Sequence, residues 1–454
     1  MVALTVVISF IAIIYGIKSF NRKKYDKAIL VLIFLYTNGF EIMPGETQGT
    51  LSYFNIGIIY MLIISFLAYN KNLIRFTTGT TLEKLYTVFI LFLLSCAIFS
   101  IVYYKFAPKE VFRVIKWLFP FASVFLFRIL TPAQFLNILN FLFKITLLLN
   151  IIFIIQCFTG NAILHSAFET RAINEFGIAR FYNKPIFSTF VLFYLIINYK
   201  KYTRFFLVFS IGLLFTALLL TQNRLEIIAV TFSIAIIVLL YPIISMRRKI
   251  LYSLLLIAAL IPVNTIMEMR DKGSNIGTKE EIINILNGHY TPNDYLNGYN
   301  GTFTFRLAMI TERMSYLSQR NLIENIWGLG MGHSDYEAID KRYNFQIGTL
   351  TTDKKPGQLS SADFAWTQIF CQWGYGGTIL FLAVYIYLIL YFYRNRHLTL
   401  GIVTFGYLIM LLLCSFAGNT LANPNYHILP LMTFFYIKKT TNIQTLKCNE
   451  NNSY

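Results

Sequence analysis

Apolar runs of about 18 residues or more recur from one end of this 454-residue chain to the other. A helix of about 20 apolar residues crosses a hydrocarbon layer about 30 Å thick. Its backbone polar groups are satisfied within the segment, as lipid demands. A soluble core has no room for so many such runs. Charged residues make up only 13% of the chain, against about 25% in soluble domains. The chain reads as an all-α polytopic membrane protein.

Spans are expected near 3–20, 26–41, 51–69, 84–104, 116–130, 135–158, 186–199, 204–221, 224–244, 250–267, 366–393, 399–416 and 426–438. Among the short spans, 26–41 and 116–130 are the weakest. The first apolar run is followed, not preceded, by its basic cluster (Lys18, Arg22, Lys23, Lys24), so it reads as an anchor and not a secretory signal. Strict alternation puts the basic clusters at 18–27, 71–84, 199–204, 246–249, 394–396 and 438–447 on one side. The positive-inside rule makes that side cytoplasmic. Thirteen spans (range 12–14), N-terminus out and C-terminus in, is the self-consistent count. The net charge of +18 is thus a loop property and not a nucleic-acid footprint. Four domains are expected: an N-terminal bundle of about ten helices over 1–267, a large outer loop over 268–363, C-terminal spans over 364–438, and a cytoplasmic tail over 439–454. No internal repeat is evident, which counts against transporters built from inverted repeats.

The outer segments carry the chemistry. Segment 218–230, LLLTQNRLEIIAV, joins two apolar runs with almost no loop, yet carries Gln222, Asn223, Arg224 and Glu226. An outer-face arginine is not explained by the positive-inside rule. A guanidinium suits phosphate bidentately; the plain alternative is a side chain snorkelling to lipid headgroups. Glu226 stands two residues from Arg224, so on a helix the two do not share a face. Arg171 and Arg180 lie in RAINEFGIARFYNKP, where Pro185 is expected to begin the next helix. Arginines beside a helix N-terminus make an anion site, unless the loop is simply solvated. Arg113 and Lys116 are further outer cations.

Within the long loop, residues 305–327 space apolar residues at helical intervals. GLGMGH (328–333) follows a helix and no strand, so it is not a dinucleotide fingerprint. It reads as a turn of close backbone approach ending in His333. Asp363 enters the next span at the membrane edge, as a functional carboxylate or a helix cap beside Ser360 and Ser361. Gly374, Gly376 and Gly377 permit close helix contact. The five cysteines suggest no disulfide framework, and no metal motif is present.

In their order, these landmarks resemble the O-antigen polymerase/ligase family of bacterial membrane glycosyltransferases. They are the Arg171–Arg180–Pro185 loop, TQNRLEIIAV, FRLAMITERMSYL leading into GLGMG, and GYGGTILFL. The resemblance spans about residues 110–395. It implies an inner-membrane enzyme acting at the periplasmic face on undecaprenyl-pyrophosphate-linked glycans, without metal, nucleotide or other cofactor. Ligases of the family carry a His-Asn pair where this chain has Asp363–Phe364, which favours a polymerase of O-antigen or capsule. The alternatives are a ligase transferring polymer to lipid A core and, in a different class, a lipid-linked oligosaccharide flippase. By the resemblance, Arg224 and Arg180 stabilise the leaving pyrophosphate, with Arg171 and Arg306 behind them. Asp363 and His333 are candidate bases. Arg113, Lys116 and Tyr299 are candidate substrate contacts. The bilayer is an obligate partner, and a chain-length regulator is a further candidate.

Overall fold

The computed structural model describes residues 2–42, 52–74, 79–164, 170–173, 178–181, 184–247, 249–250, 283, 302–333, 336–348, 356–359, 364–416 and 418–451. The expected span 250–267, apart from residue 250, lies outside the described residues, as do Tyr299 and Asp363. The architecture is that of an all-α polytopic membrane protein.

The N-terminal spans are α1 (Val2–Asn21), α2 (Tyr25–Tyr36), α3 (Tyr53–Asn70) and α4 (Thr81–Val102). The start of α4 is set by a reciprocal capping box between Thr80 and Glu83, which satisfies two orphan N–H groups at once. Then come α5 (Pro108–Ile115), a 3₁₀ segment at Lys116–Ser123, α6 (Val124–Phe127) and α7 (Pro132–Thr159). A second capping box, Thr131 with Gln134, and Pro132 at the first helical position begin α7. A short antiparallel pair, β1 (Thr170–Ile173) and β2 (Ala179–Phe181), precedes α8 (Ser188–Ile197), α9 (Arg204–Leu220) and α10 (Arg224–Leu240). The large loop contributes α11 (Thr302–Ser318), α12 (Leu322–Trp327) and α13 (Glu337–Arg342). The chain ends with α14 (Ala365–Arg394), α15 (Thr399–Cys414) and α16 (Ile428–Asn451).

Among the described residues five helices are long and apolar enough to cross a membrane alone: Leu4–Asn21, Tyr53–Asn70, Thr81–Val102, Pro132–Thr159 and Ala365–Arg394. The shorter expected spans are shorter for physical reasons. Helix α2 has 12 residues, about 18 Å of rise. The expected span 116–130 is a 3₁₀ segment containing Pro120, followed by one α turn. At about 2.0 Å per 3₁₀ residue the two pieces together cover about 22 Å. The one-sided helix α5, with Val111, Val114 and Ile115 buried and Phe112 outward, precedes them. The helix expected over 305–327 is two helices, because Asn321 caps α12 by accepting from Glu324 N–H at 2.8 Å.

Polar contacts tie the segments around residues 21–23, 71, 83, 128–134 and 439 to one another. Lys71 donates to Asn21 at 2.8 Å, Gln134 to the Lys23 carbonyl at 3.1 Å, and Arg128 lies 3.5 Å from Glu83. Lys439 caps the end of α6 by donating to the Arg128 and Leu130 carbonyls at 2.6 and 2.7 Å, a favourable place for a cation. Tyr241 and Thr399 meet at 3.3 Å where α10 ends and α15 begins. Along the flanks, Phe10, Phe66, Ile98 and Phe205 project outward, the lipid-facing surface that such a bundle needs.

The large loop is fastened to the bundle through glycine. Gly374, at φ 64°, interrupts α14, and this frees the Cys371 carbonyl from helical pairing. Leu329 N–H takes it at 2.6 Å. Tyr104 donates to the Gly328 carbonyl at 2.9 Å, and Ser100 Oγ accepts from Met331 N–H at 2.8 Å. A Cβ on Gly374 would lie 2.4 Å from both Gly328 N and the Ile326 carbonyl. GLGMG is therefore the close-approach turn expected from sequence, docked on α4 and α14. Gly374→Ala is expected to destabilise this docking by roughly 2–4 kcal/mol, read as faster proteolysis within 302–348. Gly212→Ala, with open space around the new methyl group, leaves the cleavage rate unchanged.

Candidate functional site

The joint between α9 and α10 is three residues long: Thr221, Gln222 and Asn223. Gln222 takes the left-handed conformation, φ 50°, and this turns the chain in so little space. Asn223 caps α10, accepting from Glu226 N–H at 3.4 Å. Thr221 Oγ1 donates back to the Leu218 carbonyl at 2.7 Å and accepts from Asn223 N–H at 3.2 Å. Half-buried Arg224 is consequently the first residue of α10. A cation in a helix's first turn opposes the macrodipole. The same N-terminus favours an anion, so Arg224 and the helix end together prefer a negatively charged ligand.

Two further cations reach this joint from the hairpin loop. In β2, Ala179 and Phe181 are buried against Phe153, Cys157 and Ala217. Alternation directs Arg180 the other way. Its Nε donates to the Thr221 carbonyl at 3.2 Å and its Nη2 to the Gln222 carbonyl at 3.4 Å. These carbonyls terminate α9, so Arg180 caps the negative end of one helix beside the positive end of the next. Lys184, buried, donates directly to Glu226. That answers the spacing problem of Glu226: its partner is Lys184, 42 residues away, and not Arg224. Burial pushes the Lys184 ammonium below the ordinary lysine range; contact with a carboxylate favours its charged form.

Pro185 does not begin α8, which starts at Ser188. Ser188 Oγ donates to the Pro185 carbonyl at 2.6 Å and also meets Asn150, whose Nδ2 lies 2.8 Å away. This hydroxyl bridge holds residues 185–187 as a turn. Beside that turn is a narrow, mainly apolar cleft with a cavity volume of only about 10 Å³, lined by Thr37, Phe40, Glu41, Thr146, Leu149, Pro185, Ile186 and Phe187.

The other expected residues are distributed as follows. The backbone of Arg171 lies in β1, where Thr170 pairs with Phe181 next to Arg180. Arg113 lies 3.8 Å from Glu110 and Lys116 sits 5.4 Å over the Trp117 ring; both contacts are local to the α5 region. Arg306 is half-buried near the start of α11. His333 is half-buried at the end of the docked turn, one residue after the Gly332 carbonyl that accepts from Gln372 at 3.4 Å. Among the described residues no group of three His, Cys, Asp or Glu side chains has the arrangement to hold a metal ion.

Arg313 is the residue that sequence reasoning passed over. It is 1% exposed and organises the loop. Nε donates to the Gln358 carbonyl at 3.0 Å, Nη1 to Ile347 at 2.7 Å and Nη2 to Gly357 at 2.7 Å. Its guanidinium also stacks 4.7 Å over Phe345. The adjacent Glu312 accepts from Gln346 and Ile347 N–H at 2.7 and 3.2 Å. Every one of these bonds positions the loop's own backbone, so Arg313 is assigned to loop folding. Arg313→Met leaves three carbonyls without donors and is expected to cost the loop roughly 3–5 kcal/mol. Arg313→Lys does not rescue it, because a point charge cannot span the fork. Proteolysis of 302–348 in the two variants measures both.

Residues 209–382 match the family model described as O-antigen ligase. The match begins within α9, includes Arg224 and Glu226 but not Arg180 or Lys184, covers the large loop, and ends in α14 beyond its glycine break. No curated protein matches the chain.

Proposed function

We propose that this chain, which carries the O-antigen polymerase/ligase family domain over residues 209–382, is the polymerase that joins undecaprenyl-pyrophosphate-linked repeat units at the periplasmic face of the bacterial inner membrane. The observation that carries this reading is the α9–α10 joint, where Arg224 at a helix N-terminus is accompanied by Arg180 and Lys184. In this reading the donor is a growing glycan on the lipid pyrophosphate and the acceptor is a single unit on the same carrier. The acceptor hydroxyl attacks the anomeric carbon, and the bond from that carbon to the pyrophosphate oxygen breaks. Its electron pair leaves with the pyrophosphate, whose negative charge grows along the way. Preorganised cations in a poorly hydrated site stabilise such a charge best. The hydroxyl proton goes to a general base, for which His333 and Asp363 are the candidates. Arg171, Arg306, Arg113, Lys116 and Tyr299 are proposed as outer contacts to the glycan or carrier.

The polymerase branch is preferred to the ligase branch because Asp363–Phe364 stands where ligases carry a His-Asn pair. The flippase alternative needs charges lining a path through the helices. The cations described above sit instead at the helix ends, beside a large folded loop.

Analysis of surface polysaccharide from a strain expressing Arg224→Ala as its only copy tests the proposal. The ladder of chain lengths collapses to a single repeat while single units still reach the surface. Arg180→Ala gives the same defect. Intact polymer retained on the carrier lipid means a ligase; lipid-linked units trapped inside mean a flippase. Normal chain lengths in both variants contradict the arginine assignment.

A further inference from the structure

We infer that α5 and the turn before it form a docking surface for anionic phospholipid beside the large loop. The inference goes beyond the proposed polymerase activity and does not rest on it.

The level of α5 in the bilayer follows from its neighbours. Helix α3 begins at Tyr53 and α4 ends at Val102, and both are long and apolar enough to cross a membrane. Helix α5 opens at Pro108, shortly after α4 ends. Trp117, which follows α5, stacks on Phe54 in the first turn of α3, with ring centres 4.2 Å apart. A helix set at the ends of two crossing helices lies at the headgroup boundary. Its faces fit that place. Val111, Val114 and Ile115 are buried against the bundle, whereas Tyr103, Phe112 and Trp117 are exposed. Exposed aromatic rings of this kind are enriched where hydrocarbon meets headgroups.

Cations stand among these rings. Lys105 and Lys109 are exposed. Arg342, exposed on α13 of the large loop, stacks over the Tyr104 ring at 4.4 Å and so reaches the same turn. Arg113, 3.8 Å from Glu110, is engaged locally and is not counted among them. Lysine stems lie along apolar surface while their ammonium groups reach the headgroups, and outward aromatics with lysines on one short helix make an interfacial element. An amphiphile with acyl chains and a negatively charged head matches both the rings and the cations; a zwitterionic lipid matches only the rings. Helix α5 rises about 12 Å over its length, so its surface faces a row of headgroups. That suits bilayer phospholipid better than a single carrier pyrophosphate. The same turn seats the large loop, since Ala107 N–H donates to the Tyr336 hydroxyl at 3.3 Å. Lipid bound here lies against the loop's own seat.

The probe is a photoactivatable phosphatidylglycerol, carried in phosphatidylcholine nanodiscs that hold the full-length protein. Labelled peptides are mapped by mass spectrometry, and thermal unfolding checks the fold of each variant. Labelling within 103–117 is expected to exceed that by photoactivatable phosphatidylcholine several-fold. It falls roughly tenfold or more in the double variant Lys105→Gln with Lys109→Gln, while labelling around Lys200 and Lys201 stays as in wild type. Added salt weakens the wild-type labelling, a readout that needs no variant. Equal labelling by the two lipids, insensitivity to salt, or a double variant labelled like wild type overturns the inference. Displacement of the label by undecaprenyl pyrophosphate but not by unlabelled phosphatidylglycerol also overturns it, and assigns the surface to the carrier lipid.

Discussion

Charge placed where water is scarce must be compensated, and this constraint organises the outer end of the molecule. The joint between α9 and α10 holds Arg224 and Glu226, and it draws Arg180 and Lys184 from the hairpin loop. Lys184 is placed against Glu226 and Arg180 against the carbonyl end of α9, whereas Arg224 stands at the positive end of α10. Ala179 and Phe181 of the hairpin pack against the bundle, and these polar ties add to that contact.

The large loop depends on a different device. It meets the bundle through backbone, with the Leu329 N–H completing a carbonyl that the break at Gly374 leaves open. Tyr104 and Tyr343 then close over the Gly328 and Leu329 carbonyls. Inside the loop, Arg313 and Gln358 tie distant strands of chain together: Gln358 Oε1 accepts from Phe345 N–H at 2.8 Å and its Nε2 donates to the Pro356 carbonyl at 2.7 Å. The docked turn ends at His333, one residue beyond the Gly332 carbonyl to which Gln372 of α14 donates at 3.4 Å.

The all-α, multi-pass class was legible in the sequence because lipid imposes a strong rule on run length. Segments 26–41, 116–130 and 186–199 are among those that fall short of a full helical span, and Pro120 is the visible cause in the second. The joint was legible as well, since polar residues with no loop to carry them stand out against apolar neighbours. Its wiring was not. Lys184 and Glu226 are 42 residues apart, and nothing in either local pattern names the other. Arg313 was hidden for the same reason. In MITERMSYL it has the look of an ordinary solvated charge, and its acceptors at 347, 357 and 358 follow no helical or strand period. Pro185 misled because a proline before an apolar run usually opens the helix, whereas here the Ser188 hydroxyl turns back onto the Pro185 carbonyl.

The central claim is that the cationic joint takes the negative charge released when a glycan leaves its lipid pyrophosphate. Purified protein in nanodiscs, supplied with the lipid-linked repeat unit of its own strain, gives the most direct measurement: polymer bonds formed against lipid pyrophosphate released. The account requires one lipid pyrophosphate per new bond with wild-type protein and neither product with Arg224→Ala. Polymer formed at the wild-type rate by Arg224→Ala, or bonds formed without release of lipid pyrophosphate, would contradict it.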